Sequence, residues 1–106
     1  MKAIQPELLE EAVRRLTVEF QPEEIFLFGS HVWGAPDENS DVDLMVIVPN
    51  SGERPIRRDQ RAQHCLGRLP ISIDVLVRTR QEVDRVRGIR GSLTQDVLKR
   101  GRKLYG

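Results

Sequence analysis

The sequence predicts an α/β fold, a small mixed β-sheet covered by helices. Three observations carry that expectation. Two continuous apolar runs, 25–28 and 42–48, are too short for helices and are bounded by turn residues, as buried strands are. A third run, 71–77, alternates in the manner of a strand with two unlike faces. Segments with helical spacing precede, separate and follow these runs, so helices and strands interleave along the chain.

The elements follow in order. Leu8, Ala12, Leu16 and Phe20 recur at steps of four with Leu9 and Val13 beside them, which predicts an amphipathic helix over 5–20. Pro6 sits in its first turn and Pro22 closes it. The strand at 25–28 leads into Gly29–Gly34, a short helical turn, and then a loop over Ala35–Ser40. The strand Val42–Val48 is stopped by Pro49-Asn50-Ser51-Gly52. An Arg-rich stretch from Ile56 to Leu69 reads as a helix, with Gly67 an unfavourable residue near its end. After the strand Ile71–Val77, two helices are expected at Arg80–Arg87 and Leu93–Leu104. No repeat, linker or low-complexity tract divides residues 1–106, so one domain is expected, long enough for a core without disulfide or metal staples.

Composition narrows the function classes. No apolar run approaches the roughly 20 residues that span a bilayer, and the first residues lack a signal-peptide pattern. Cys65 stands alone, which leaves no disulfide framework and no Cys-based zinc site; a cytoplasmic location is the expectation. The net charge of +1 conceals an asymmetry: residues 1–53 carry three basic and eleven acidic side chains, residues 54–106 fourteen basic and five acidic. Such a split suits a phosphate or an acidic partner, and it equally suits arginines lining solvated helix faces.

The carboxylates are the informative feature. Asp41 and Asp43 are two apart at the mouth of an apolar strand, so they project from one face. Like charges a few Å apart repel, and each is costly beside a core unless a cation compensates. Ser-Asp-x-Asp can also be a turn with an Asx cap. Asp74 lies within the apolar run Ile71–Val77, where an aspartate requires a reason of its own. If that strand lies beside Val42–Val48, three carboxylates converge and can hold Mg²⁺, whose other positions are filled by water and phosphate oxygens. Two such ions about 3.5–4 Å apart would clamp an in-line displacement on phosphorus. Gly29-Ser30, between a strand and a short helix, offers a close backbone approach and a hydroxyl to an anion, although a Gly-Ser turn by itself is most often only a turn. It is neither a P-loop nor a dinucleotide fingerprint.

Gly29-Ser30, ten intervening residues, Asp41-Val42-Asp43-Leu44 and the later Asp74 resemble the signature of the DNA polymerase β-type nucleotidyltransferase superfamily. The short chain and the ending Val97-Leu98-Lys99-Arg100-Gly101-Arg102-Lys103-Leu104-Tyr105 resemble its minimal nucleotidyltransferase (MNT) branch. The resemblance spans 25–105 and implies a polymerase β-like palm fold. It also implies that Gly29 and Ser30 hold the β- and γ-phosphates of a nucleoside triphosphate. Asp41 and Asp43 would bridge two Mg²⁺ ions, and Asp74 would bind the catalytic metal and help activate the acceptor hydroxyl. Many minimal members read Gly-Ser-Arg-Ala-Arg-Gly; this chain reads Gly29-Ser30-His31-Val32-Trp33-Gly34. Phosphate contacts from those arginines are therefore expected from Arg78 or Arg80.

The function the resemblance implies is transfer of a nucleoside monophosphate, AMP from ATP, to a hydroxyl on a partner protein. It further implies that this partner is a helical HEPN-domain toxin to which the chain is the antitoxin. Two rivals are a non-catalytic antitoxin acting by binding alone and an aminoglycoside-type small-molecule nucleotidyltransferase, the latter short of a second lobe. Trp33 is expected to pack on the core rather than stack on a base, and His31 to be an exposed surface residue. His64 and Cys65 are adjacent on a helix and face apart, against a shared metal. With aromatics at 5%, the basic segment Lys99–Lys103 has little with which to stack bases, so it is read as a solvated helix end and direct nucleic-acid binding is not expected.

Overall fold

The structure is a computed structural model that describes residues 5–34 and 41–106, with Trp33 described by its backbone alone. The loop expected over Ala35–Ser40 and the packing expected of Trp33 lie outside the described residues. The elements are α1 (Pro6–Phe20), β1 (Glu24–Phe28), α2 (Ser30–Trp33), β2 (Val42–Val48), α3 (Pro55–Leu66), β3 (Ile73–Thr79), α4 (Arg80–Val86), α5 (Leu93–Arg100) and β4 (Arg102–Tyr105).

The four strands form one mixed sheet in the order β3-β2-β1-β4. β1 runs antiparallel to both β2 and β4, while β2 and β3 are parallel. Both sheet faces are covered. On one, Leu9, Ala12 and Leu16 of α1 and Ala62 and Leu66 of α3 pack on Ile25, Leu27, Leu44, Val46, Val75 and Val77. On the other, Val83 of α4 and Val97 of α5 pack on Phe26, Phe28, Met45 and Ile47. This double burial explains why β1 and β2 read as continuous apolar runs: each successive side chain enters a different core.

Three elements depart from the sequence reading by more than one residue. α3 ends at Leu66, three residues short of Leu69, because Gly67 turns the chain there. β3 occupies 73–79 rather than 71–77, since its ladder opens opposite Val42 and runs to Val48. The helix expected over 93–104 stops at Arg100, and residues 102–105 instead form an edge strand on β1. Gly101 makes that break possible. Its N–H donates to the Val97 carbonyl at 2.8 Å, and a Cβ there would lie 2.5 Å from the same oxygen and 3.1 Å from the Leu27 carbonyl. The basic end is accordingly half helix and half strand, and Lys103 pairs with Glu24 at 2.9 Å.

At the far end of the sheet, α4 begins with a capping box in which Thr79 and Glu82 satisfy each other's backbone N–H groups. The same Glu82 carboxylate takes both terminal nitrogens of Arg58 at 2.8 Å, a bidentate pair in which the Arg58 side chain is 2% exposed. That pair ties α3 to α4 around the C-terminal end of β3. No helix among the described residues is long and apolar enough to cross a membrane.

Candidate nucleotidyl-transfer site

The site begins where β1 ends. Gly29 adopts φ +83°, which L side chains rarely enter, and turns the chain from β1 into α2. A Cβ at this position would overlap the Asp43 carboxylate and stand 3.1 Å from its Cγ. Glycine is therefore required twice over, by the backbone angle and by the carboxylate packed on its Cα. Ser30 opens the helix beside it and His31 follows, both half-buried. His31 thus departs from the exposed residue the sequence suggested.

Strand register assembles the carboxylates. Asp43 is the second residue of β2; it stands opposite Phe28 on one side and opposite Asp74 of β3 on the other. Asp41 immediately precedes the strand. The sequence reading placed Asp74 in the middle of an apolar run; in the fold it is the second residue of its strand and exposed, at the same sheet end as Asp43. All three carboxylates meet there.

Their electrostatics are strained in one direction. Burial pushes the Asp43 carboxyl above the usual carboxylate range, and the charges of Asp74 and then Asp41 push it further, with His31 opposing. Asp74 is also raised, by the desolvation it retains, by the charge of Asp41 and by a hydrogen bond between these two carboxyls. Because Asp74 keeps much of its surface in solvent, repulsion from Asp41 is the component that a cation would relieve. Among the described residues no group of three His, Cys, Asp or Glu side chains is already arranged to hold a metal ion. A site of hard carboxylate oxygens left open on one side suits Mg²⁺, which keeps waters and phosphate oxygens in its shell.

A cavity of about 590 Å³ opens beside these groups. Asp43 and Asp74 lie in its wall with Phe28, Leu76 and Leu93, and the wall continues around the outer edge of β3 past Val75, Asp59, Gln60 and Gln63. Sequence reasoning passed over these last residues. Asp59 and Gln63 are four apart on α3 and so share a face, but only the packing of α3 reveals that this face meets the β3 edge. A second groove, about 670 Å³, lies between α1 and β4 on the opposite face of the sheet, remote from the carboxylates.

Arg78 and Arg80, expected to reach phosphate, do not stand at this end. Arg78 is opposite Ile47, four residues along the strand from Asp43 or about 13 Å, and its Nη1 lies 3.3 Å from Asp59. Arg80 lies beyond β3 and pairs with Glu23 at 2.7 Å and Glu24 at 2.6 Å.

The nucleotidyltransferase domain family matches residues 7–104 of the chain. A crystal structure of a candidate nucleotidyltransferase from Sulfolobus solfataricus superposes with a TM-score of 0.59 at 25% identity, covering 74% of this chain and 70% of that one. No curated protein matches the chain.

Proposed function

Because the chain belongs to the nucleotidyltransferase domain family, we propose that it transfers a nucleoside monophosphate, AMP from ATP, to a hydroxyl group on a partner protein. The observation that carries this reading is the pairing of Asp43 with Asp74 across the parallel ladder, with Asp41 beside them and the Gly29 backbone against Asp43. Crowded carboxylates raised by burial and by one another's charge, with His31 only partly opposing at Asp43, are what a divalent-cation site requires before its ion arrives.

Asp41, Asp43 and Asp74 would hold Mg²⁺, which when bound offsets their repulsion and the charge on the phosphates. Gly29 and Ser30 would receive the β- and γ-phosphates, the glycine by letting the chain approach closely and the serine through its hydroxyl. The acceptor oxygen forms a bond to the α-phosphorus while the bond from that phosphorus to the bridging oxygen breaks. Pyrophosphate leaves with the electron pair, and the hydroxyl proton passes to the Asp74 carboxylate.

The partner in this proposal is a helical HEPN-domain protein, neutralised by the modification. One observation favours a second reading, an antitoxin that acts by binding alone: His31 and Trp33 stand where many minimal members carry arginines, and Arg78 and Arg80 are engaged at the other end of the sheet. Mass spectrometry of the chain co-expressed with the protein encoded beside it separates the two. Transfer gives a nucleotide-sized mass increase on the partner that disappears with Asp43→Asn. A tight complex without any mass increase overturns the catalytic reading in favour of binding.

A further inference from the structure

β3 is an outer strand of the sheet, and the Val42 N–H donates to the Ser72 carbonyl at 2.9 Å. That bond sets the phase of the parallel ladder: Ser72, Asp74, Leu76 and Arg78 turn their backbone groups toward β2, and Ile73, Val75, Val77 and Thr79 turn theirs outward. Four outward groups are closed by side chains, each at 2.8 Å. Gln63 Nε2 donates to the Ile73 carbonyl and Arg78 Nη1 to the Val77 carbonyl. Asp59 accepts from the Val77 N–H and Glu82 from the Thr79 N–H. Between them, no hydrogen bond among the described residues reaches the outward N–H and C=O of Val75.

The Val75 side chain is buried in the core on the far face of the sheet. Its contribution to the wall of the site cavity is therefore this backbone donor and acceptor. An outer strand with unpaired groups is a template for an extended chain, and proteins ordinarily blunt it. Here the blunting is interrupted for one residue, next to Asp74.

The direction of the chemistry agrees. With the leaving pyrophosphate at Gly29-Ser30, on the β1 side of Asp43, an in-line displacement brings the nucleophile from the β3 side, where this cavity lies. We infer that the acceptor is an extended peptide that adds to β3 at Val75 as an antiparallel strand one residue wide. The inference rests on the transfer reading and supplies the acceptor's binding mode.

One peptide residue exchanges both backbone hydrogen bonds with Val75. The next residue then stands opposite Asp74 with its side chain on the carboxylate face, at a Cβ separation of roughly 4.5–5.5 Å that puts a hydroxyl within reach. The preceding residue stands opposite Leu76, on the apolar wall shared with Leu93, which is 46% exposed for want of cover. Asp59 and Gln63 fence the window on both sides. The recognised pattern is short: apolar, any residue, hydroxyl.

The test uses the full chain with Mg²⁺, ATP and the peptide acetyl-Gly-Leu-Ala-Ser-Gly-amide, with Thr and Tyr versions alongside. N-methylation of the central alanine removes its donor to the Val75 carbonyl and lowers kcat/KM about tenfold, whereas N-methylation of the hydroxyl residue changes it less than about twofold. Leu93→Asp raises KM for the peptide with kcat held. Without nucleotide, peptide addition slows exchange of the Val75 amide proton and moves its resonance. If Mg²⁺ and ATP stabilise the chain but the two N-methyl peptides react alike, or Val75 is silent, this binding mode is overturned and transfer stands. Labelling of a sugar or polyol with no peptide labelled has the same consequence. If Mg²⁺ and ATP leave the chain unstabilised and no pyrophosphate is released, transfer and acceptor mode fall together.

Discussion

The two ends of β2 and β3 carry acidic side chains in opposite circumstances. At the end where the strands begin, Asp41, Asp43 and Asp74 crowd against one another, and the carboxyls of Asp43 and Asp74 are pushed above their ordinary range. At the other end Glu82 holds Arg58 and Glu24 holds Arg80. Hydrogen bonds from Arg58 draw Glu82 down to about 2, and those from Arg80 lower Glu24. One protein thus contains both solutions to placing acids beside an apolar sheet. The paired end has its cations built in and holds helices together. At the crowded end His31 only partly opposes the repulsion at Asp43, and on the proposed chemistry that repulsion is the cost of leaving room for a cation and a phosphate.

The sharpest way to break this comparison is Asp43→Asn. On the proposed chemistry, nucleotide transfer falls by about 10³ or more, because the substitution removes charge from the point where phosphate charge must be balanced. The same change relieves repulsion in the metal-free protein, so its Tm rises. The sign with pH follows from the raised pKa. The ionised carboxylate is disfavoured in the fold, so the contribution of Asp43 to stability is fully present at low pH and is lost as pH rises through the raised value. Thermal melts without Mg²⁺ should therefore show the variant and wild type converging toward pH 3.5 and separating toward neutrality. A wild type that is the more stable of the two at pH 7 contradicts the crowded-site account.

The second effect falls at the paired end. Glu82→Gln leaves the buried Arg58 guanidinium without its counter-charge and should cost roughly 3 kcal/mol in urea unfolding at pH 7. Here the pH sign is reversed. The lowered pKa means that the pair's contribution is present above the ordinary glutamate value of 4.5 and is lost as pH falls through about 2. Transfer by the folded variant should remain, which separates a structural acid from those of the proposed site.

The smallest effect is a coupling. Mg²⁺ and ATP together should raise Tm by more than the sum of their separate shifts, since each completes the other's coordination. Strictly additive shifts in a thermal titration would put the crowded end on the same footing as the paired one, a structural arrangement with no ligand.

Local chemistry accounts for what was legible in the sequence. β1 and β2 were readable because burial on both faces demands unbroken apolar runs, and α1 because its stripe repeats at steps of four. The nearness of Gly29 to Asp43 was legible because strand, turn and strand follow one another closely, and period-two geometry then orients the side chains. The nucleotidyltransferase domain was legible from Gly29, Ser30, Asp41 and Asp43 together with Asp74. Tertiary structure decided the rest. Nothing near Asp74 in sequence specifies its partner, and the parallel register set by Val42–Val48 places it opposite Asp43 and moves β3 two residues onward. Lys99–Tyr105 contains ordinary helix formers, but a sheet edge at β1 takes the last residues as a strand once Gly101 breaks the helix. Arg78 or Arg80 was expected to supply phosphate contacts, and only the fold brings Asp59, Glu23 and Glu24 to them. The division has a physical cause: propensity and periodicity act over a few residues along the chain, whereas strand register, edge capping and ion pairing depend on groups that meet only after the chain has closed on itself.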